Sequence, residues 1–313
     1  LGNLRGSAFM VLAMAAFAIE DMFIKAAAEV IPLGTVLALF GLGGMIVFVL
    51  LTWRKGESVL RPEVLSKPIV VRAFCEVVGR LCFALAITLT PLSSASAILQ
   101  ATPLVVVLGA SLIFKERVGL SRWSAILVGF CGVLMIIRPG LDDFDPASLF
   151  AVLSTLGFAG RDLATRGASE QLSNTHLGVY GFFVLIPTGL ILQLVQGPVL
   201  GGAIIEGTIA EGSIIKVLMM LFEQEACLYV LGSVIFGVLA YNSLTIAMRT
   251  GEVSVVTPFR YTRLLFALLL GIVVFNETPD IWTLAGGAIV ILSGVYALLG
   301  SRQKRQHQVD APS

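Results

Sequence analysis

Nine polar residues interrupt apolar stretches in a pattern that could bind a charged metabolite. They are Glu76 and Arg80, Gln100 and Thr102, Tyr241 and Asn242, and Arg260, Tyr261 and Arg263. Glu76 and Arg80 stand four apart, so a helix puts them on one face. The arginines carry the strongest signal. A guanidinium stays charged and offers a planar fork that takes a carboxylate or phosphate through two bonds. Tyr241 and Tyr261 supply rings for an apolar or aromatic group. Glu76 with Arg80 alone also fits a structural ion pair. Three arginines within apolar stretches weigh toward binding, because ionisable groups in a membrane span are costly. A second set, Glu20, Asp21, Arg161 and Asp162, reads as gates or helix-end ion pairs. Asp21 with Lys25 and Asp162 with Arg166 have i, i+4 spacing. Pro103 and Pro258 each remove a helix hydrogen bond and read as hinges, and Pro187 adds a third kink.

Those residues need elements to hold them, and the composition says what kind. Hydrophobic residues make up 57% of the 313 positions and charged residues only 13%, with a mean hydropathy of +0.94. That leaves too little polar surface to cover a soluble globule. The expected class is an all-α polytopic membrane protein, with the lipid bilayer as its surroundings. A net charge of +1 gives no reason to expect a nucleic-acid partner. The two histidines and four cysteines show no metal-ligand spacing, so neither a metal site nor another cofactor is expected. No nucleophile–histidine pair and no glycine-rich phosphate loop points to an enzyme. The first apolar run is long enough to span and reads as a helix rather than a cleavable leader.

A span needs about 20 mostly apolar residues. Ten are read, at roughly 7–27, 33–53, 69–89, 93–113, 120–138, 147–166, 175–196, 226–248, 253–275 and 279–299. Backbone in a bilayer must satisfy itself, so each should be a helix. Short connections make successive spans antiparallel. Residues 197–225 hold apolar runs too short to cross and read as a loop with an interfacial helix, or else as an eleventh, distorted span. With both termini in the cytoplasm, fifteen lysines and arginines fall on the inner side and three on the outer. That orientation follows from the positive-inside rule. The basic tail, 301–313, is expected to be a disordered cytoplasmic extension.

The chain also repeats itself. A shift of 161 positions brings Ala86 onto Ala247, Ser93 onto Ser254 and Glu116 onto Glu277. The same shift pairs Arg80 with Tyr241, Gln100 with Tyr261, and Thr102 with Arg263. A shift of 141 pairs Glu20-Asp21 with Arg161-Asp162. Two halves follow, 1–140 and 141–300, with five helices each. An odd number of spans per half turns the second copy upside down, the plan of secondary transporters with a site at the midplane. Helices three, four, eight and nine carry the polar pairs and should enclose it. Glu116 and Glu277 stand beside loops, where capping or loop fixation is the expected role. The glycine clusters, such as Gly286-Gly287 with Gly294, read as close helix packing.

On these features the chain resembles the EamA-type transporters of the drug/metabolite transporter superfamily. The resemblance rests on Pro103, Glu116, Trp123, Gly129 and Gly132 in one half. In the other it rests on Pro258, Glu277, Trp282, Gly287 and Gly294. It covers the chain apart from 197–225 and the tail. It implies an inverted repeat around a central cavity and, most closely, bacterial inner-membrane exporters of amino acids, aromatic ones included. The expected partner is thus a small amphipathic anion or zwitterion carried by a monomer. Arg263-Leu264 stands where Thr102-Pro103 stands in the first half, which points to an anionic group on the substrate. The alternative is a phosphorylated or nucleotide-like metabolite. A channel or non-transporting sensor is the reading from another class.

Overall fold

The computed structural model describes residues 2–113, 115, 120–138, 145–165, 172–199, 224–250 and 257–309. All regular structure among these residues is helical. The first half contains α1 (Gly2–Val30), α2 (Leu33–Arg54), α3 (Lys67–Leu89), α4 (Leu92–Leu99), α5 (Thr102–Ile113) and α6 (Leu120–Ile137). The second contains α7 (Ser148–Thr165), α8 (Asn174–Phe183), α9 (Leu185–Val199), α10 (Gln224–Thr250), α11 (Thr262–Phe275) and α12 (Ile281–Val309). A 3₁₀ turn, Thr257–Tyr261, leads into α11. The described residues of each stretch read as a span are mainly helical, with breaks at 100–101 and 184.

Proline punctuates these helices where its ring forbids continuation. Pro32 and Pro91 stand just before α2 and α4. Pro103 separates α4 from α5. Lacking an N–H, it cannot bond the carbonyl of Leu99, and the Thr102 hydroxyl donates to that oxygen instead, at 2.6 Å. Val184 similarly interrupts the helix ahead of Pro187. The interfacial reading of 197–225 falls mostly on residues outside the described set. The tail differs from its expectation: α12 continues to Val309 without a break at Gly300. Arg302, Gln303, Lys304 and Arg305 are good helix formers.

Among the described residues, five helical stretches are long and apolar enough to cross a membrane: Leu4–Val30, Leu33–Arg54, Leu92–Ile113, Asn174–Gln193 and Glu225–Ala247. The helix α3 misses that standard because Arg72, Glu76 and Arg80 lie within it. Arg161 and Asp162 lower the hydropathy of α7 in the same way. Large apolar side chains face outward, among them Phe74, Phe130, Leu265, Leu269 and Val273. An apolar exterior of that extent suits lipid rather than water.

Helices pack across the halves. The extensive contacts join α1 to α10, α3 to α7, α6 to α12 and α2 to α8 and α9; α1 also meets α11, and α5 meets α7. Glycine permits the closest crossings. A Cβ on Gly157 of α7 would lie 2.5 Å from the Gly79 nitrogen of α3. One on Gly286 of α12 would lie 2.6 Å from the Gly132 carbonyl oxygen of α6. Any larger residue would push those backbones apart. The α3–α7 crossing matters most, because it sets Glu76 and Arg80 beside Arg161.

Candidate functional site

The buried centre is a line of ion pairs drawn from four places in the chain. Glu20 and Asp21 come from α1, Arg72, Glu76 and Arg80 from α3, and Arg161 and Asp162 from α7. Arg260 and Arg263 come from the 3₁₀ turn and α11. Their register follows from helical periodicity: positions 72, 76 and 80 recur every four residues along one face of α3. Among the described residues this makes five arginines and four carboxylates in one cluster.

Glu76 is the hub. Its oxygens lie 3.4 Å from Arg161 Nη1, 3.5 Å from Arg80 Nε and 3.7 Å from Arg72 Nη2. Arg80 also donates through Nη1 to Glu20. Arg161 donates to Asp162 through Nε at 3.0 Å and Nη2 at 2.8 Å, a two-bond fork. Arg260 Nη1 stands 3.7 Å from the other Asp162 oxygen. At the far side Arg263 donates through Nη2 to Asp21 at 2.6 Å. Glu20 is fully buried and Asp21 is 1% exposed. Charges so withdrawn from solvent persist only when paired.

Aromatic rings sheath the cations. The Arg263 guanidinium lies between Phe17 and Phe83, 5.1 and 5.2 Å from the ring centroids. Arg80 sits 5.5 Å over Phe40, and Arg161 4.9 Å over Phe158. Each such contact contributes about 0.5–2 kcal/mol where water is excluded. Tyr241 meets Phe48 edge-on and donates to the Asn174 carbonyl at 3.3 Å. Asn242 follows it, half-buried, on α10.

Several polar atoms are buried with no partner. Among the described residues they include Glu20 Oε2, Ser96 Oγ, Gln100 Nε2, Tyr261 OH and Arg263 Nε, while Glu63 Oε2 and Ser66 Oγ lie apart from these, just before α3. Burying such a group unpaired costs about 1–3 kcal/mol, so native structures hold few. The first five lie at the charged line and at two helix interruptions. Gln100 follows the end of α4, and Tyr261 ends the 3₁₀ turn before α11. These two are the residues paired by the 161-residue shift. Ser96 and Gln100, four apart, share a face of the α4 segment. Tyr261 packs its ring against Gly294 of α12.

Compared with the sequence expectation, the polar residues are regrouped. Arg80, Arg260 and Arg263 were assigned to a substrate, and Glu20, Asp21, Arg161 and Asp162 to gates nearer opposite faces. The two sets are in fact bonded to each other, pair by pair. The reason is length and packing. The helix α1 runs 29 residues, so Glu20 and Asp21 lie well inside it rather than at its end. Helices α1 and α7 therefore join α3 and α11 at the centre. The expected Asp21–Lys25 pair is replaced by two long-range ones, since Lys25 turns to Glu277, 2.8 Å away. The Asp162–Arg166 pair falls outside the described residues. Thr102 serves the broken helix through Leu99. Arg72 is one of the fifteen basic residues that the sequence puts on the cytoplasmic side. It is 6% exposed and also donates to Thr165 Oγ1 at 3.2 Å. Its spacing to Glu76 and Arg80 was the available signal.

A second cluster lies at one end of α1. Glu277, in the loop between α11 and α12, reaches across to the other half. It accepts hydrogen bonds from Leu92 N at 2.6 Å, Ser93 N at 3.1 Å and Ser93 Oγ at 2.8 Å, besides Lys25. Glu277 thus caps α4, where the helix dipole favours an anion. Burial alone would raise its carboxyl, but the Lys25, Ser93 and Leu92 bonds outweigh that and hold it below the usual carboxylate range. The expected capping role is what the geometry shows. Glu116, its repeat partner, lies outside the described residues.

Apolar helices around buried, ring-sheathed ion pairs define a class of protein, the multi-pass membrane protein. The chain belongs to the EamA-like transporter family, whose model matches residues 4–138 and again 145–300. It is 27% identical over 239 residues to a riboflavin transporter of Vibrio cholerae serotype O1, across 76% of this chain and 73% of that one. It is 24% identical over 246 residues to an S-adenosylmethionine uptake transporter of Rickettsia bellii, across 78% and 77%. A pseudopaline exporter of Pseudomonas aeruginosa is 24% identical over 291 residues, across 92% and 94%. These names are not those of amino-acid exporters in particular. A solved crystal structure matches with a TM-score of 0.61 over 96% of this chain and 98% of its own, at 18% identity, and supports the fold alone.

Proposed function

We propose that this protein is an alternating-access secondary transporter for small amphipathic metabolites that carry a carboxylate and an apolar or planar group. Amino acids, aromatic ones first, are its leading substrates, and export across a bacterial inner membrane is the leading direction. The observation that carries this reading is Arg263, held between two phenylalanine rings with Nε buried and unpartnered. A carboxylate on that guanidinium places its attached side chain against Phe17 and Phe83. Arg80 and Arg260 are the other anion binders. Gln100, Tyr241, Asn242 and Tyr261 orient the rest, while Pro103 and Pro258 act as hinges.

In the same reading ten spans form two inverted halves, with both termini cytoplasmic. The doubled family match supports two halves. So does the contact pattern: exchanging each helix for its repeat counterpart turns the α1–α10 contact into α7–α3, and α1–α11 into α7–α5. The excess of lysine and arginine on one side supports the orientation. The relatives named for riboflavin and S-adenosylmethionine favour a second reading, a substrate with a heterocyclic or nucleotide-like ring.

Counterflow in proteoliposomes tests both. Vesicles loaded with phenylalanine, methionine, riboflavin, S-adenosylmethionine or a sugar phosphate would be challenged with the labelled compound. Saturable exchange of phenylalanine or methionine is the expected result. Exchange of riboflavin or sugar phosphate alone would move the arginines to another chemistry. Flux that never saturates would make the protein a channel.

A further inference from the structure

We propose that the carrier couples its substrate to a proton travelling in the same direction, and that Asp21 is the group that takes the proton. This rests on the reading above, in which a substrate carboxylate reaches Arg263.

The argument starts from the guanidinium. Nε and Nη2 share one edge of that planar group, an edge that suits both oxygens of a carboxylate. Asp21 uses Nη2 only, at 2.6 Å, and Nε has no acceptor. The resident anion therefore fills half of the edge. A substrate carboxylate that takes both donors makes one charge-assisted bond more than Asp21 makes. Substitution at this edge is favourable as far as Arg263 is concerned.

Asp21 then faces the consequence. Its side chain is 1% exposed. The charged neighbours that remain are Glu20 on its own helix, Arg80 from α3, and Arg263, now neutralised by substrate. Arg80 is already bonded to Glu20 and close to Glu76. Gly237 of α10 and Phe40 of α2 pack together at Glu20 and bring no charge. A buried carboxylate without its cation is costly enough that the group takes up a proton instead. The balance is simple: the ionised Asp21–Arg263 pair, a substrate carboxylate and one proton become a neutral Asp21 acid and a substrate–Arg263 pair. The charge of the site is the same before and after. For the carboxylate part of the substrate, the loaded and empty carriers are equally charged, and both can close. Release on the other side reverses each step, so that export runs on the substrate's own outward gradient and an inward proton gradient drives the reverse, uptake.

Thermodynamic linkage makes this measurable. If one proton binds with the substrate, the apparent substrate affinity falls about tenfold per pH unit through the coupled range. Proteoliposomes containing the full chain and an internal pH-sensitive dye would be given a phenylalanine gradient, with counterflow measured in parallel. The expected result is saturable counterflow, internal acidification as phenylalanine enters, and that pH slope. Counterflow without acidification would overturn the coupling while leaving the transporter reading intact. No exchange of phenylalanine or methionine would overturn that reading and the coupling with it. Asp21→Asn should still exchange substrate but lose both the acidification and the pH slope. Glu20→Gln should keep the slope, whatever its rate, because Glu76 still holds Arg80. The reverse pattern would take the proton away from Asp21. A purely structural Asp21 would lower folded yield in D21N and leave the slope of the surviving protein unchanged.

Discussion

Two ion pairs stand four residues apart on α1, about 6 Å along its axis, and they are built differently. Lys25 meets Glu277, and every oxygen of that carboxylate is engaged: four donors from three residues converge on it. Asp21 meets Arg263, and there a guanidinium donor is left bare, as is an oxygen of the adjacent Glu20. A completed constellation fixes structure, because any change loses a bond. One left short of partners has room for a newcomer. In the proposed function this contrast separates a structural ion pair from a binding one, a distinction composition cannot make, since both use the same residue types in the same helix.

That contrast can be broken, and the largest effect is expected at its hub. Glu76→Gln removes the one carboxylate shared by three arginines and should cost about 3 kcal/mol or more of stability. Thermal unfolding in detergent would read it; a variant as stable as the parent would mean the centre is no more demanding than the end. Arg263→Lys keeps the charge but loses the planar edge. It should lower saturable transport about tenfold, roughly 1.4 kcal/mol, with folded yield preserved. Unchanged transport would place the substrate elsewhere.

Effects at the Glu277 end should be smaller and confined to stability. Glu277→Gln keeps an acceptor for α4 and should cost about 1 kcal/mol, with counterflow retained. The pH dependence has a fixed sign. A carboxyl held below its ordinary value of 4.5 contributes stability above that value and loses it as the pH falls through the depressed one. Unfolding of the parent should therefore ease below about pH 4.5, and less so in Glu277→Gln. Lys25→Met should be milder still, within about 1 kcal/mol. A loss of transport as large as that in Arg263→Lys would erase the distinction between the two pairs.

Much of this architecture was legible in the sequence. The all-helical architecture and the helix interruption at Pro103 required only composition and local periodicity. Glu277 could be read as a cap because it stands beside a loop. Which charge meets which could not be read. Asp21 has Lys25 four residues on, and local spacing offers no reason to prefer Arg263, 242 positions away. That choice is made by the tertiary crossing of α1 with α11. Likewise Gly79 and Gly157 look like ordinary span glycines until α3 and α7 are seen to touch there. Arg72 was placed by its distance from a loop, although its spacing to Glu76 and Arg80 held the better clue.

The Glu277 cap has a consequence for biogenesis. The amide nitrogens it satisfies belong to Leu92 and Ser93, made 185 and 184 residues earlier in the chain. A ribosome delivers the first half of this protein well before it delivers the residue that finishes its fourth helix. During synthesis α4 enters the membrane with its N-terminal amides open, and Lys25 waits beside them without its carboxylate. The first half is thus an incomplete object when the second begins to emerge. Completion arrives from the loop before α12, so the cap on α4 forms only after that loop has been made, and the open α4 terminus is the mark of a chain that has not been finished.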